Sequence, residues 1–286
     1  MRDWEYGIDG VYQYRRCKQC CVVQINPFLC LEELVKAYEI DYHGYAEATD
    51  KGLFYQGLFA VQDWLFSRRL RSIIAPGAAV LDLGCGNGAF LDRVRGLGAE
   101  RVEGIDFSEQ AVSTAARRGI SVFQGVFKAF ERPPATYDVI FMNNYLEHTS
   151  DPLAELQKCL SLLKPNGLLV GEVPNFDSFD RRIFGRYWGG NHVPRHTFQF
   201  DPPALRTLLA RAGFTTARTS CELNTAHLAL SVQNLLQRNR SDLRRNPALK
   251  HGRAAYYGSL LLLLLPINCL FAAVGKAGVM KFYATV

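Results

Sequence analysis

The order of apolar and polar positions changes at Pro76–Gly77, a dipeptide that interrupts regular structure. Beyond it, short apolar runs alternate with longer segments whose apolar residues recur at helical spacing. The runs predict strands at Val80–Leu83, Arg101–Ile105, Ile120–Phe123, Tyr137–Met142, Leu168–Val173 and Phe214–Thr219. The longer segments predict helices at Ala89–Leu97, Glu109–Arg118, Pro152–Leu163 and Pro202–Ala212. This alternation predicts a doubly wound α/β fold, a parallel sheet with helices on both faces.

The flanking segments complete the expected domain organisation. Residues 1–44 form a cysteine-containing extension, and helical spacing from Tyr45 to Ile74 predicts an N-terminal helical cap on a core of residues 45–223. We expect a turn at Lys164–Gly167 before the fifth strand. Residues 224–278 predict a helical insertion, and residues 279–286 predict a last strand that returns to the core sheet.

The net charge of +6 is concentrated in one place. Between Leu235 and Arg253 a single acidic residue, Asp242, opposes six basic ones: Arg238, Arg240, Arg244, Arg245, Lys250 and Arg253. They adjoin an apolar run and do not interleave with aromatic residues, which argues against a nucleic-acid partner. The N-terminus has no apolar core resembling a signal peptide, so we expect eight free cysteines and a cytoplasmic protein.

A glycine-rich turn, Asp82–Gly88, follows the first predicted strand. Its glycines allow the backbone to turn sharply and approach a ligand, and the next helix presents N-terminal amides. A turn without a ligand is one alternative. A dinucleotide site is another, since Gly84, Gly86 and Ala89 have its spacing, and Asp106 could accept hydrogen bonds from the ribose of either cofactor class.

The full series of motifs resembles the class I S-adenosylmethionine-dependent methyltransferases, in the ubiquinone-biosynthesis-type branch that includes sugar and natural-product methyltransferases. The motifs are Asp82–Gly88, Gly104–Ser108, Tyr137–Ile140, Leu146–His148, Asp151–Pro152, Leu163–Gly167, Val173–Asn175, Pro194–His196, Phe200 and Ala212–Phe214. The resemblance implies a seven-stranded Rossmann-like sheet and S-adenosylmethionine as cofactor, and it argues against a nicotinamide-dependent oxidoreductase.

The resemblance also implies a set of cofactor-binding residues. These are Asp82, Gly84, Gly86, Gly88, Asp106, Phe107, Gln124, Gly125, Val126 and Asn143. The glycine loop would face the amino-acid end, and Asp106 the ribose. Val126 departs from the family, in which an acidic residue holds the adenine amino group. Adenine recognition would then depend on backbone groups, Gln124 or stacking on an aromatic ring.

Methyl transfer to a hydroxyl needs alignment and a base. The expected bases are His148 and His196, with His192 a weaker candidate; alternatively, these histidines only cap a helix or brace a loop. We expect no metal, although Glu147–His148 with a further histidine could hold a divalent ion. Cys17 and Cys20 resemble half of a zinc knuckle whose first half is missing, so there too we expect no zinc.

An uncharged stretch of 22 residues, Ala254–Gly275, follows the basic segment. It is long enough to span a bilayer, but Pro266 and Asn268 interrupt it and the last strand must return to the sheet. We therefore expect an apolar helical hairpin and a peripheral membrane contact through residues 235–275 at the inner face of the membrane. The alternatives are a buried lid and a homodimer interface.

Together these features predict an O-methyltransferase for a small-molecule or lipid- or glycan-linked acceptor near the membrane. Carbon and nitrogen acceptors remain open. The competing hypothesis is a non-catalytic cofactor-binding scaffold that has kept the fold.

Overall fold

The computed structural model describes residues 1–30, 33–34, 37–38, 67–240 and 256–286. The chain divides into two compact units. Unit 1 comprises Met1–Asp41, Asn144–Leu156 and Gly171–Ala284, and unit 2 comprises Tyr42–Asn143, Gln157–Val170 and Thr285–Val286. Most of the predicted cap helix lies outside the described residues, although residues 67–71 are helical.

Ten strands and eight α-helices lie wholly within the described residues. The strands are β1 Gln13–Arg16, β2 Val23–Asn26, β3 Ala79–Leu83, β4 Arg101–Asp106, β5 Ser121–Gln124, β6 Tyr137–Asn143, β7 Leu163–Pro174, β8 Phe198–Gln199, β9 Thr216–Cys221 and β10 Val279–Thr285. The helices are α1 Ala89–Gly96, α2 Glu109–Arg117, α3 Pro152–Leu162, α4 Phe179–Phe184, α5 Pro202–Ala212, α6 Ala226–Leu236, α7 Tyr257–Leu263 and α8 Leu265–Ala273.

Seven strands form the central sheet, in the order β5-β4-β3-β6-β7-β10-β9. The strands β5, β4, β3 and β6 are mutually parallel. Val80, Leu81 and Leu83 of β3 are fully buried, as expected for a strand covered on both faces. The predicted doubly wound α/β class is confirmed, and so is the return of the last strand, which lies between β7 and β9.

The prediction that a turn at Lys164–Gly167 precedes the fifth strand is wrong, because β7 begins at Leu163 and includes these residues. Asn166 nevertheless has a positive φ of 63°, as residues in turns often do, and asparagine tolerates this conformation.

The N-terminal extension contains strands that the sequence pattern did not predict. β1 and β2 pair antiparallel, and β2 pairs with the two-residue strand β8. Cys17 and Cys21 close the turn between β1 and β2, with the Cys21 amide donating to the Cys17 carbonyl at 3.0 Å. The extension is thus tied into a small sheet within unit 1.

The predicted hairpin within the apolar stretch is wrong. α7 and α8 are separated only by Leu264, whose backbone is helical. Helical hydrogen bonds continue across the junction, from the Leu264 amide to Leu260 at 3.0 Å and from the Asn268 amide to Leu264 at 2.9 Å. Pro266 lies in the first turn of α8, where a missing amide proton costs no helical bond. Within the described ranges, no helix is both long and apolar enough to cross a membrane.

Candidate functional site

The glycine loop that follows β3 is held by backbone hydrogen bonds to β4. The amides of Gly84 and Cys85 both donate to the Ile105 carbonyl, at 2.8 and 3.1 Å. Gly84, Gly86 and Gly88 have φ values of 72°, 53° and 75°, which other residue types adopt only at a cost. Gly88 is further restricted, because a Cβ there would lie 2.8 Å from the Cβ of Ala115. Glycine is therefore required at these three positions for the turn to form.

Asp106 at the end of β4 ties the loop to the next segment. One carboxylate oxygen accepts from the Gly86 amide and the other from the Ser108 amide, each at 2.9 Å. Each oxygen keeps a second lone pair that can accept from a ribose hydroxyl. Burial raises the pKa of Asp106, and burial together with Asp106 raises the pKa of Asp82 well above its ordinary value. A cationic ligand group beside these two carboxyls would favour their ionised forms.

The other predicted cofactor residues lie at or just beyond the carboxyl ends of neighbouring parallel strands. Phe107 follows β4 and is 36% exposed; Gln124 ends β5, and the Gly125 amide donates to the Asp106 carbonyl at 2.9 Å. Val126 directly precedes a short 3-10 turn, Phe127–Ala129, and Asn143 ends β6. All ten predicted residues belong to unit 2. This edge of the sheet offers turned backbone, two carboxyls and an aromatic face, which suit an amino acid, a ribose and an adenine. Binding by these residues remains a prediction.

The predicted bases come together in unit 1. The ring centroids of His148 and His196 lie 4.5 Å apart, and those of His192 and His196 lie 4.8 Å apart. Nδ1 of His196 lies 2.9 Å from the Gly190 carbonyl, and Nδ1 of His148 lies 3.1 Å from the Arg195 carbonyl. The Tyr38 hydroxyl also lies 2.5 Å from Nδ1 of His148. With a proton on each Nδ1, the two carbonyls and this hydroxyl oxygen accept, and Nε2 of each ring is left as the acceptor.

Glu147 is a member of this cluster that the sequence did not single out as a functional group by itself. Its side chain is fully buried, and neither carboxylate oxygen has a hydrogen-bond partner among the described residues. Oε1 lies 4.0 Å from Nε2 of His196. Burial, with a smaller effect of Glu172, raises the pKa of Glu147 to about 8. Burial lowers the pKa of His148 to about 3 and lowers that of His196 well below its ordinary value. Both imidazoles are therefore neutral at pH 7.

Glu147 makes a specific contribution to the pH dependence of stability. Between the pKa of an unfolded glutamate, about 4.3, and its folded pKa of about 8, only the folded state holds this proton. Rising pH therefore destabilises the fold in that window. Across this window we expect the free energy of unfolding of the wild type to fall by about 1 kcal/mol or more relative to that of Glu147→Gln. Above about pH 8, the difference between the two proteins should stay constant. Urea unfolding across pH measures this difference; a pH-independent difference would contradict it.

His192 is not a suitable base. Nδ1 lies 2.7 Å from Oε2 of Glu5, and Nε2 accepts from Nε of Arg195 at 2.8 Å. The Arg195 guanidinium also lies 3.6 Å from the Asp3 carboxylate. All four side chains are buried. His192 thus links the N-terminal extension to the histidine cluster, a role that no local pattern indicates because Glu5 lies 187 residues away in the chain.

We expect Glu5→Ala to lower the free energy of unfolding by about 1–3 kcal/mol, because it leaves the buried Nδ1–H of His192 without this acceptor. Glu5→Gln keeps an amide oxygen and should lose less. The exposed Glu100 provides a control, since Glu100→Ala removes the same groups from the surface. Thermal or urea unfolding of the three variants tests this, and equal losses for Glu5→Ala and Glu100→Ala would contradict it.

Among the described residues, one group of three potential metal ligands lies close enough to share an ion. Ligand atoms of Glu147, His148 and His196 all fall within 4.8 Å of one another. One carboxylate with two imidazoles is a donor set that zinc and other first-row ions accept. These residues could therefore hold a metal, whereas Cys17 and Cys20 form no such group with other described residues.

The comparisons with known proteins agree with this architecture. Residues 61–219 match a family described as a methyltransferase domain. A ubiquinone biosynthesis O-methyltransferase from Maricaulis maris is 32% identical over 150 residues, covering 48% of this chain and 59% of that protein. A tRNA U34 carboxymethyltransferase from Methylococcus capsulatus is 33% identical over 177 residues, covering 57% of this chain and 54% of that protein. The chain thus spans little more than half the length of these relatives.

A solved structure shows the same fold. The SAM-dependent methyltransferase from Archaeoglobus fulgidus is 20% identical and superposes with a TM-score of 0.52, covering 81% of this chain and 100% of that one. The family match covers more than half of the chain, the sheet has the seven strands expected, and the glycine loop and Asp106 follow the neighbouring parallel strands β3 and β4. The chain therefore belongs to the class I S-adenosylmethionine-dependent methyltransferases.

Proposed function

We propose that this enzyme methylates a hydroxyl group of a small-molecule acceptor, either free or linked to a lipid or glycan near the membrane. The cluster of His148, His196 and Glu147 is the observation that carries the proposal. A hydroxyl becomes a good nucleophile only as it loses its proton, and a neutral imidazole can accept that proton, whereas an imidazolium cannot. The resemblance to an O-methyltransferase over 150 residues supports this acceptor class.

Different residues of the chain would orient the cofactor and accept the proton. S-adenosylmethionine, when bound, supplies an electrophilic methyl group. The glycine loop and Asp106 orient the cofactor, which is the main protein contribution to an in-line displacement. Nε2 of His148 or His196 accepts the acceptor's proton. An imidazolium formed at His196 would lie 4.0 Å from Oε1 of Glu147 and would favour the ionised form of that carboxyl, because opposite charges interact strongly where water is excluded.

The direct test is an acceptor screen with cofactor labelled in the methyl group. The panel contains phenols, sugars, lipid-linked glycans and, as a competing class, transfer RNA. We expect label on a hydroxyl oxygen of a small or lipid-linked molecule, with one S-adenosylhomocysteine formed per methyl transferred. Transfer to RNA, or to nitrogen or carbon only, would overturn the proposal.

The second candidate is a non-catalytic cofactor-binding scaffold. Val126 favours it, because this position lacks the acidic group that holds adenine in related enzymes. Such a protein would bind S-adenosylmethionine and transfer label to no member of the panel.

A further inference from the structure

The helices α7 and α8 present an apolar surface on one side. Leu263, Ile267, Leu270 and Val274 are spaced by four, three and four residues, which places them on the same helical face. They are 72%, 43%, 68% and 61% exposed, respectively. A surface helix of a globular protein normally presents charged and polar residues on this side. We call these four residues the apolar face.

Packing beside the apolar face anchors the same helices to the protein. Asn268 points away from the face and is 1% exposed, and the ring of Phe271, which flanks the face, packs on that of Phe179 in α4 at 5.2 Å. No charged residue occurs between Tyr256 and Gly275. The helices are thus held in place by these contacts while the apolar face stays exposed, and nothing within α7 or α8 gives it charge.

The basic segment begins beside this face. Arg238 and Arg240 are exposed just after α6. Nε2 of Gln237, the residue before Arg238, donates to the hydroxyl of Tyr256 at 3.3 Å. Tyr256 directly precedes α7, so this bond places the start of the basic segment at the N-terminal end of the apolar helices. The other four basic residues of the segment lie outside the described residues.

We propose that the apolar face, with Arg238 and Arg240 near its N-terminal end, docks on the surface of an anionic membrane, with α7 and α8 lying in the plane of one leaflet. The side chains of the face enter the acyl boundary, and Arg238 and Arg240 contact phosphate head groups. Residues 257–273 extend about 25 Å as a helix, too short to cross the bilayer with its head groups. This goes beyond the proposed methyl transfer and does not depend on it.

A second copy of the chain is a poorer occupant of this face. A symmetric dimer interface uses the same patch on both subunits, so it would bring the exposed Arg238 and Arg240 of one copy towards the same residues of the other. Like charges at close range oppose that contact. Anionic lipid offers both an apolar layer and the opposite charge.

Sedimentation with vesicles of phosphatidylcholine, with and without phosphatidylglycerol, tests the proposal on the full chain. We expect tighter binding to the anionic vesicles and only partial release by high salt, because salt screens the charges and leaves the apolar contact. Leu263→Asp with Leu270→Asp should lower the partition coefficient by about 100-fold or more. Arg238→Glu with Arg240→Glu should lower it about tenfold, on anionic vesicles only.

Val11→Asp is the matched control, since Val11 is 63% exposed and lies outside the face; it should bind vesicles as the wild type does. Leu263 and Leu270 are also exposed, so the double variant should keep the wild-type unfolding midpoint and S-adenosylmethionine affinity. Three results would overturn the proposal. The first is a wild type that binds neither kind of vesicle. The second is a Leu263→Asp, Leu270→Asp variant that binds anionic vesicles as the wild type does. The third is a wild-type dimer that these two substitutions dissociate.

Discussion

His148→Ala and His196→Ala are each expected to lower turnover on an identified hydroxyl acceptor by about 100-fold or more. The reason is that each removes a neutral Nε2 able to take the acceptor's proton. Affinity for S-adenosylmethionine should barely change, because neither substitution replaces a predicted cofactor residue. Steady-state turnover and calorimetry on the same preparations separate the two quantities.

His227→Ala is the control for this pair. His227 lies in unit 1 but contacts the Gly278 carbonyl through Nδ1, outside the cluster, and its loss should leave turnover nearly unchanged. Wild-type turnover in both cluster variants would show that neither histidine acts as the base. Both would then be structural.

Asp106→Ala is expected to weaken S-adenosylmethionine binding by about 2–3 kcal/mol, or roughly 30- to 150-fold in Kd, the range for hydrogen bonds to a charged group. Two losses combine in this effect. The ribose hydroxyls lose a charged acceptor, and the Gly86 amide loses the oxygen that holds the loop at 2.9 Å.

Asp106→Asn separates these losses in part, because its amide oxygen can still accept one hydrogen bond; its Kd should fall between those of the wild type and Asp106→Ala. The exposed Glu109 begins the next helix, and Glu109→Ala controls for the change in charge. Calorimetry gives all four dissociation constants. An unchanged Kd for Asp106→Ala would remove Asp106 from the cofactor site.

The unit 2 part of the fold could be predicted because its signals are local. Apolar runs mark β3 to β6, and the glycines between β3 and α1 occur where positive φ angles are needed. The glycines that allow this turn lie within the turn itself, so its signal is local. For this reason the ten predicted cofactor residues lie at one edge of the sheet, as the motifs implied.

The parts that were missed depend on contacts distant in sequence. β8 has two residues and exists only because β2 pairs with it, and the contact of Glu5 with His192 has no local signature. The break expected at Pro266 did not form a hairpin because proline in the first turn of a helix displaces no hydrogen bond. The burial of the Glu147 carboxylate without a hydrogen-bond partner among the described residues likewise depends on residues packed around it that lie far away in the sequence, such as His196.

Calorimetric titration of the wild-type protein with S-adenosylmethionine, and separately with a nicotinamide dinucleotide, tests the central claim most directly. The account predicts saturable binding of S-adenosylmethionine at one site per chain, competition by S-adenosylhomocysteine, and no binding of the dinucleotide. A folded protein that binds no S-adenosylmethionine, or that binds the dinucleotide more tightly, would contradict it.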